Sequence, residues 1–255
     1  MKPLIFDSHA HYDDRQFDDD RDALLASMPQ NGVELILNAA TSPAAVQQSI
    51  AMAERYPFVY AAVGVHPSEL DTADLSFVDE LASLYTHEKV VAIGEIGLDY
   101  HYDTFPRERQ RAWFERQLAL AKTLDAPVIV HDRDAHEDTL TLLKQYQPRG
   151  VVHCFSGSVE MMQEIVKLGM YIGLGGAVTF KNAKKPCAVA AAVDGDKLLL
   201  ETDCPYMAPV PLRGHRCDSA QIIHTAEKIA ELRGVTVDDL LWQTNRNAKT
   251  LFGIE

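Results

Sequence analysis

The sequence predicts a closed (β/α)8 barrel of the TIM type, formed as one domain over residues 1–255. Three observations predict it. Short apolar runs with β character alternate with longer amphipathic segments, so strands are separated by helices and must pair in parallel through right-handed crossovers. The length suits one such barrel. No linker, low-complexity tract or internal repeat divides the chain. An open doubly wound sheet is the other arrangement of the same elements.

The strand candidates are residues 4–8, 33–38, 58–64, 90–95, 127–131, 150–153, 171–174 and 198–203. They are largely apolar, as parallel strands covered on both faces require. Helical segments fall between them at 20–28, 43–55, 76–86, 106–124, 137–145, 159–168 and 183–193. After the eighth strand come 219–233, 237–241 and 246–251. Pro106 opens a segment where proline suits the first turn. Ser158 precedes a run with Met161, Met162, Ile165 and Val166 on one face, and Gly169 follows as a stop. Gly234 plays the same part after Arg233.

Composition narrows the function. The formal net charge of −13 opposes non-specific attraction to nucleic acid. A nucleic-acid substrate would have to be held locally, by a metal and a few basic side chains. Cys154, Cys187, Cys204 and Cys217 include no C-x-x-C pair, so they read as buried or incidental thiols rather than a disulfide framework or zinc ribbon. Met1-Lys2-Pro3 leads straight into the first strand, with no signal peptide pattern. The uncharged, Gly-rich run at residues 168–180 falls short of the about 20 residues of a transmembrane helix. The expectation is a soluble, cytoplasmic protein without a membrane partner; the sequence leaves the oligomeric state open, a monomer among the choices.

The ionisable residues lie where the strands end. Strand 1 runs into His9-Ala10-His11, and residues two apart in a strand share a face, so two imidazoles project together. Strand 3 leads to His66, strand 4 ends at Glu95, strand 5 at His131, strand 6 at His153 and strand 8 at Asp203. In a barrel these ends converge on the face that carries chemistry. Five of the ten histidines follow strands in this way; His87, His101, His136, His215 and His224 are read as solvated or structural. Imidazoles with two carboxylates suit a two-metal hydrolytic centre, because imidazole binds borderline ions such as Zn2+ or Mn2+ and a carboxylate can bridge two cations. There is no G-x-S-x-G for a nucleophilic serine and no G-x-G-x-x-G after a strand for a dinucleotide.

These ligands, with their neighbours, resemble the TatD family of metal-dependent hydrolases. The matching motifs are Phe6-Asp7-Ser8-His9-Ala10-His11, Gly64-Val65-His66-Pro67, Gly94-Glu95-Ile96-Gly97-Leu98-Asp99-Tyr100 and Pro127-Val128-Ile129-Val130-His131-Asp132-Arg133-Asp134-Ala135. They continue with His153-Cys154-Phe155-Ser156-Gly157, Glu201-Thr202-Asp203-Cys204-Pro205-Tyr206 and Asn247-Ala248. The resemblance implies a barrel of the amidohydrolase type, two divalent cations per chain (Mg2+, Mn2+ or Zn2+) and phosphodiester hydrolysis, often 3′→5′ exonuclease activity on DNA or RNA. It also implies that His9, His11 and Asp203 hold one metal, that His131 and His153 hold the other, and that Glu95 bridges them. His66 would stand outside the ligands or touch substrate. The chain departs from the family pattern at Cys204 and Asp132, where serine is common, and at His215-Arg216-Cys217-Asp218-Ser219, where Lys-Arg-Asn-Glu-Pro is common.

The reading that follows is a metal-dependent phosphodiesterase acting on single-stranded or frayed nucleic-acid ends. Asp203 serves as general base and Glu95 as the charge-sharing bridge. Arg133, Lys181 and Arg213, all in loops after strands, are the phosphate-binding candidates. The alternative changes the bond to an amide or ester, for example in D-aminoacyl-tRNA deacylation. A non-catalytic metal scaffold would be expected to lack a ligand, and none is missing.

Overall fold

The computed structural model describes residues 4–102 and 104–255. Met1, Lys2 and Pro3, on which the signal-peptide expectation rests, lie outside the described residues. The strands are β1 (Ile5–Ala10), β2 (Val33–Ala39), β3 (Val59–Val63), β4 (Val90–Asp99), β5 (Val128–Arg133), β6 (Gly150–Val152), β7 (Tyr171–Leu174) and β8 (Leu198–Leu200). The helices are α1 (Arg21–Ser27), α2 (Pro43–Arg55), α3 (Phe77–Leu84), α4 (Arg107–Leu124), α5 (His136–Tyr146), α6 (Val159–Lys167), α7 (Lys184–Ala192), α8 (Ile222–Arg233) and α9 (Val237–Phe252).

The eight strands form one parallel sheet in the order β1-β2-β3-β4-β5-β6-β7-β8. The order never reverses, and Ala10 pairs in parallel with Cys204 beyond the end of β8. The sheet therefore closes on itself, which excludes the open doubly wound alternative. The seam is tied by His11 N donating to Cys204 O at 2.8 Å and by Asp203 N donating to His9 O at 3.0 Å.

Local chemistry starts and stops the helices where the sequence indicates. Ser42 Oγ accepts from Ala45 N ahead of α2, with Pro43 in the first turn, and Ser158 Oγ accepts from Met161 N ahead of α6. Gly169 and Gly234 follow their helices with φ of 88° and 65°, a region glycine enters without a Cβ penalty.

Most element ends differ from expectation by a few residues, and three of the differences have a clear physical reason. β4 runs on past Glu95 because Ile96, Gly97, Leu98 and Asp99 pair with Val130, His131, Asp132 and Arg133. Strand 8 stops at Leu200 rather than Asp203, because the following residues leave the ladder to bond Asp7. The last helix is continuous, whereas the sequence reads as two pieces, 237–241 and 246–251. Its polar Thr244 and Asn247 face inward: Thr244 Oγ1 bonds Leu240 O, and Asn247 Nδ2 donates to Leu198 O and Gly195 O. Those two residues break the apolar pattern on paper, yet their bonds are satisfied when buried.

Gly97 sets the approach of β4 to β5. Its φ is +148°, and a Cβ there would collide with the backbone carbonyl of His131. Gly97→Ala should lower the unfolding free energy by more than about 2 kcal/mol, since backbone cannot yield cheaply. Gly32 also has positive φ but nothing within 4 Å of such a Cβ, so Gly32→Ala should cost only about 1 kcal/mol. Urea unfolding of both variants checks the ranking.

Candidate metal centre

Glu95 is 2% exposed and faces five imidazoles. Its Oε2 lies 3.4 Å from both His9 Nε2 and His11 Nε2. Its Oε1 lies 2.9 Å from His131 Nδ1, 2.8 Å from His153 Nε2 and 3.4 Å from His66 Nε2. Asp203 Oδ1 completes the first side, 3.6 Å from His9 Nε2 and 3.3 Å from His11 Nε2. Three overlapping donor groups result: His9, His11 and Asp203; His9, Glu95 and His153; and His66, Glu95 and His131.

Tautomers show which nitrogens offer lone pairs. His11 Nδ1 lies 2.8 Å from Ala39 O, which can only accept, so Nδ1 carries a proton and Nε2 of the neutral ring is a lone pair. That lone pair faces His9 Nε2 at 3.0 Å. His131 Nε2 lies 3.1 Å from the Asp99 carboxylate, so in the neutral ring Nδ1 is a lone pair aimed at Glu95. Acceptors pointed at acceptors repel, and either protons or a cation must sit among them. The donor set therefore fits divalent metal.

His66 differs. Ser68 N donates to its Nδ1 at 3.1 Å, so the neutral ring carries its proton on Nε2, toward Glu95. That nitrogen is a hydrogen-bond donor rather than a lone pair.

The electrostatics agree. Burial pushes His9 down to about 4, and neighbouring His153 adds to the shift. Burial likewise pushes His66 down to about 3 against the pull of Glu95, so it stays neutral. Burial would also lower His11, but the bond to Asp203 and the charge of Glu95 outweigh it and raise the group to about 10. The same contest, won by Asp99 and Glu95, raises His131 to about 9. Burial alone would lift Glu95, yet the imidazoles around it hold it well below the usual carboxylate range. Two ionised carboxylates thus create a site that favours positive charge.

Supporting residues that the sequence reading did not single out hold the donors. Asp7 is buried, accepts from His9 N at 3.2 Å, Thr202 N at 3.0 Å, Thr202 Oγ1 at 2.7 Å and Ser219 Oγ at 2.7 Å, and so carries Asp203 to the end of β1. Asp203 itself has φ of 62°, a left-handed conformation that Asp tolerates better than most residues. On α4, Gln110 clamps the Asp99 backbone at 2.9 Å from both amide atoms, and Gln117 clamps Val65, beside His66, at 2.8 and 3.0 Å. Glu201 is fully buried, accepts from Cys154 N and lies 3.8 Å from His153 Nδ1. The only signal for any of these was a polar residue inside an apolar or motif stretch.

All three phosphate-binding candidates are exposed, but only Lys181 and Arg213 lie in loops, after β7 and β8; Arg133 is the last residue of β5, because pairing with Asp99 carries that strand past His131. Among the described residues, no hydrogen bond or ion pair joins them to the donors. Arg133 lies over the Tyr102 ring and Arg213 over the Phe180 ring. His87, His101 and His224 pair with exposed carboxylates, His136 pairs with the buried Asp132 side chain of β5 at 2.8 Å, and His215 is exposed. All four cysteines are free.

Residues 6–253 match the family model described as TatD related DNase. The chain belongs to the TatD family. It is 42% identical to the metal-dependent hydrolase YabD of Bacillus subtilis over 98% of this chain and 100% of that protein. It is 36% identical to the 3′-5′ ssDNA/RNA exonuclease TatD of Salmonella typhimurium, covering 98% of this chain and 99% of that one. The crystal structure of the TatD homologue YjjV from Escherichia coli superposes over 100% of both chains with a TM-score of 0.94 at 36% identity. In this TatD-family barrel, no helix among the described residues is long and apolar enough to cross a membrane.

Asp99 fixes the tautomer and orientation of His131. Asp99→Asn should therefore weaken divalent-metal affinity about 10- to 100-fold, while Glu95→Gln should weaken it more and at both sides of the cluster. Titration calorimetry with Mn2+ or Zn2+, alongside circular dichroism to confirm folding, distinguishes the two.

Proposed function

We propose that this chain is a metal-dependent phosphodiesterase that removes nucleotides from the 3′ ends of single-stranded or frayed DNA or RNA. The observation that carries this reading is Glu95, one carboxylate whose two oxygens face two separate sets of nitrogen donors. His9, His11, Asp203 and Glu95 would hold one divalent cation, and Glu95, His131 and His153 a second. Cations so held supply Lewis-acid polarisation and charge neutralisation at a phosphodiester. The Salmonella relative's name, a single-strand exonuclease, supports the same substrate class.

The residues divide the remaining work by their exposure. The Asp203 side chain is 21% exposed, whereas that of Glu95 is 3% exposed. Asp203 can therefore meet a water beside the substrate, and Glu95 cannot. Burial raises the Asp203 carboxyl, but the His11 hydrogen bond and the surrounding imidazoles hold it below its ordinary value, so it is ionised and able to accept a proton. Water attacks phosphorus as its proton passes to Asp203, the P–O3′ bond breaks, the departing O3′ takes a proton from solvent, and Asp203 returns its own proton to solvent. His66, neutral with its one proton on Nε2 and 3.4 Å from Glu95 Oε1, would redirect that proton from Glu95 to a non-bridging phosphate oxygen.

Elemental analysis of the purified protein should find close to two divalent ions per chain. A 3′-labelled single-stranded oligonucleotide should lose label as mononucleotide, and an aminoacyl-tRNA should stay intact; the reverse pattern would replace the phosphodiester with an ester substrate. Asp203→Asn should cut kcat by at least about 100-fold. His66→Ala should leave metal content in place and lower kcat by about 10-fold or more, whereas loss of metal in that variant would make His66 a ligand.

A further inference from the structure

The metal centre accounts for phosphate but not for the preference for unpaired strand. Two features at the barrel mouth do. Arg133, the last residue of β5, places its guanidinium over the Tyr102 ring at 4.9 Å from the centroid, and Tyr102 is 55% exposed. Arg213, in the loop after β8, lies 3.7 Å over the ring of Phe180, in the loop after β7. Both arginines are exposed.

Each pair is tied to the donor cluster. Asp99 Oδ2 bonds His131 Nε2 at 3.1 Å, and its Oδ1 accepts from the backbone N of His101 at 3.0 Å and of Tyr102 at 3.4 Å. Arg133 is the strand partner of Asp99. The first pair is therefore anchored through the residue that orients His131. On the other side, Thr179 Oγ1 accepts from Val210 N at 2.8 Å, and Gly176 allows Met207 O to approach its backbone. This packs the Phe180 loop against the Asp203–Arg213 loop. His153, after β6, lies between the two pairs in barrel order.

We infer that the Tyr102–Arg133 and Phe180–Arg213 pairs are two stacking stations that grip unpaired bases on either side of the metal centre. This rests on the phosphodiesterase reading above and specifies how its substrate is held. A guanidinium spread on an aromatic ring presents a flat, cationic, weakly hydrated plate, which suits the π-face of a base while its edge remains free for phosphate. A net charge of −13 gives no long-range attraction, so short-range stacking carries the grip. Bases inside a duplex have their faces covered, so only single strands and frayed ends can engage. Every base has a π-face, so the grip has little sequence preference.

The test compares kcat/KM on a short single-stranded oligodeoxyadenylate with that on a strand of equal length whose 3′-terminal sugars lack bases. The metal-loaded wild-type protein should prefer the base-bearing strand by about 30-fold. Tyr102→Leu, Arg133→Lys and Arg213→Lys keep apolar area or charge but remove a flat plate, and each should cut that preference about 5- to 10-fold, mostly through KM. Thermal melting confirms that the variants fold; all three positions are exposed. Equal cleavage of both strands by wild type, or a preference unchanged in all variants, overturns the stacking stations while leaving the phosphodiesterase intact. A change at one station only overturns the other. Cleavage of neither strand overturns the phosphodiesterase reading and this inference with it.

Discussion

A buried carboxylate is the constraint on which the rest of this structure depends. Glu95 is almost wholly removed from water and ionised, which is costly unless opposite charge and hydrogen-bonding partners surround it. Those partners come from β1 and the residue just after it, from the loops after β3 and β6, and from β5. No local segment could supply them. Only a closed barrel brings these strand ends to one point, so the fold and the candidate metal centre are solutions to the same electrostatic problem. Cation binding to such a cluster adds to folding free energy as well as to chemistry.

The second layer of the site is made of polar groups that do structural and chemical work together. Asp7 ties β1 to the segment after β8 and delivers Asp203 to His9 and His11. Burial raises its carboxyl to about 6 despite four hydrogen bonds, a measure of how dry the seam is. Gln110 and Gln117 stand seven residues apart on α4, two helical turns, so both amides point at the barrel and seize backbone beside His66 and at Asp99. Hydrogen bonds of this kind hold donors to the small tolerances that metal chemistry needs.

The chain's acidity fits this division of labour. On the proposed function, attraction to a polyanion would be concentrated at the donor cluster and at a few basic side chains of the barrel mouth, while the net charge of −13 would oppose attraction of bulk nucleic acid.

His9, His11, His66, His131, His153 and Asp203 were legible because each follows an apolar run whose period and length mark a strand, and parallel strands in a barrel must share a C-terminal face. Helix starts at Ser42 and Ser158 and stops at Gly169 and Gly234 were legible because capping is local chemistry. Glu95 was legible as a site residue but not in its depth: β4 continues to Asp99, because pairing with β5 carries the strand on. Thr244 and Asn247 hid the continuity of α9, since their hydrogen bonds lie partly in other elements. Asp99, Asp7, Glu201 and the two glutamines carry no pattern of their own. Their partners lie up to 212 residues away in sequence, as for Asp7 and Ser219. The sequence by itself determined the alternation of elements, the fold class and the chemical types at the strand ends, because these follow from periodicity and local capping. The tertiary structure alone decided which ring nitrogens face one another, that the neutral His66 ring turns Nε2–H toward Glu95 where the neutral rings of His11 and His131 turn lone pairs inward, and which residues hold them, because those depend on distances that exist only once the barrel closes.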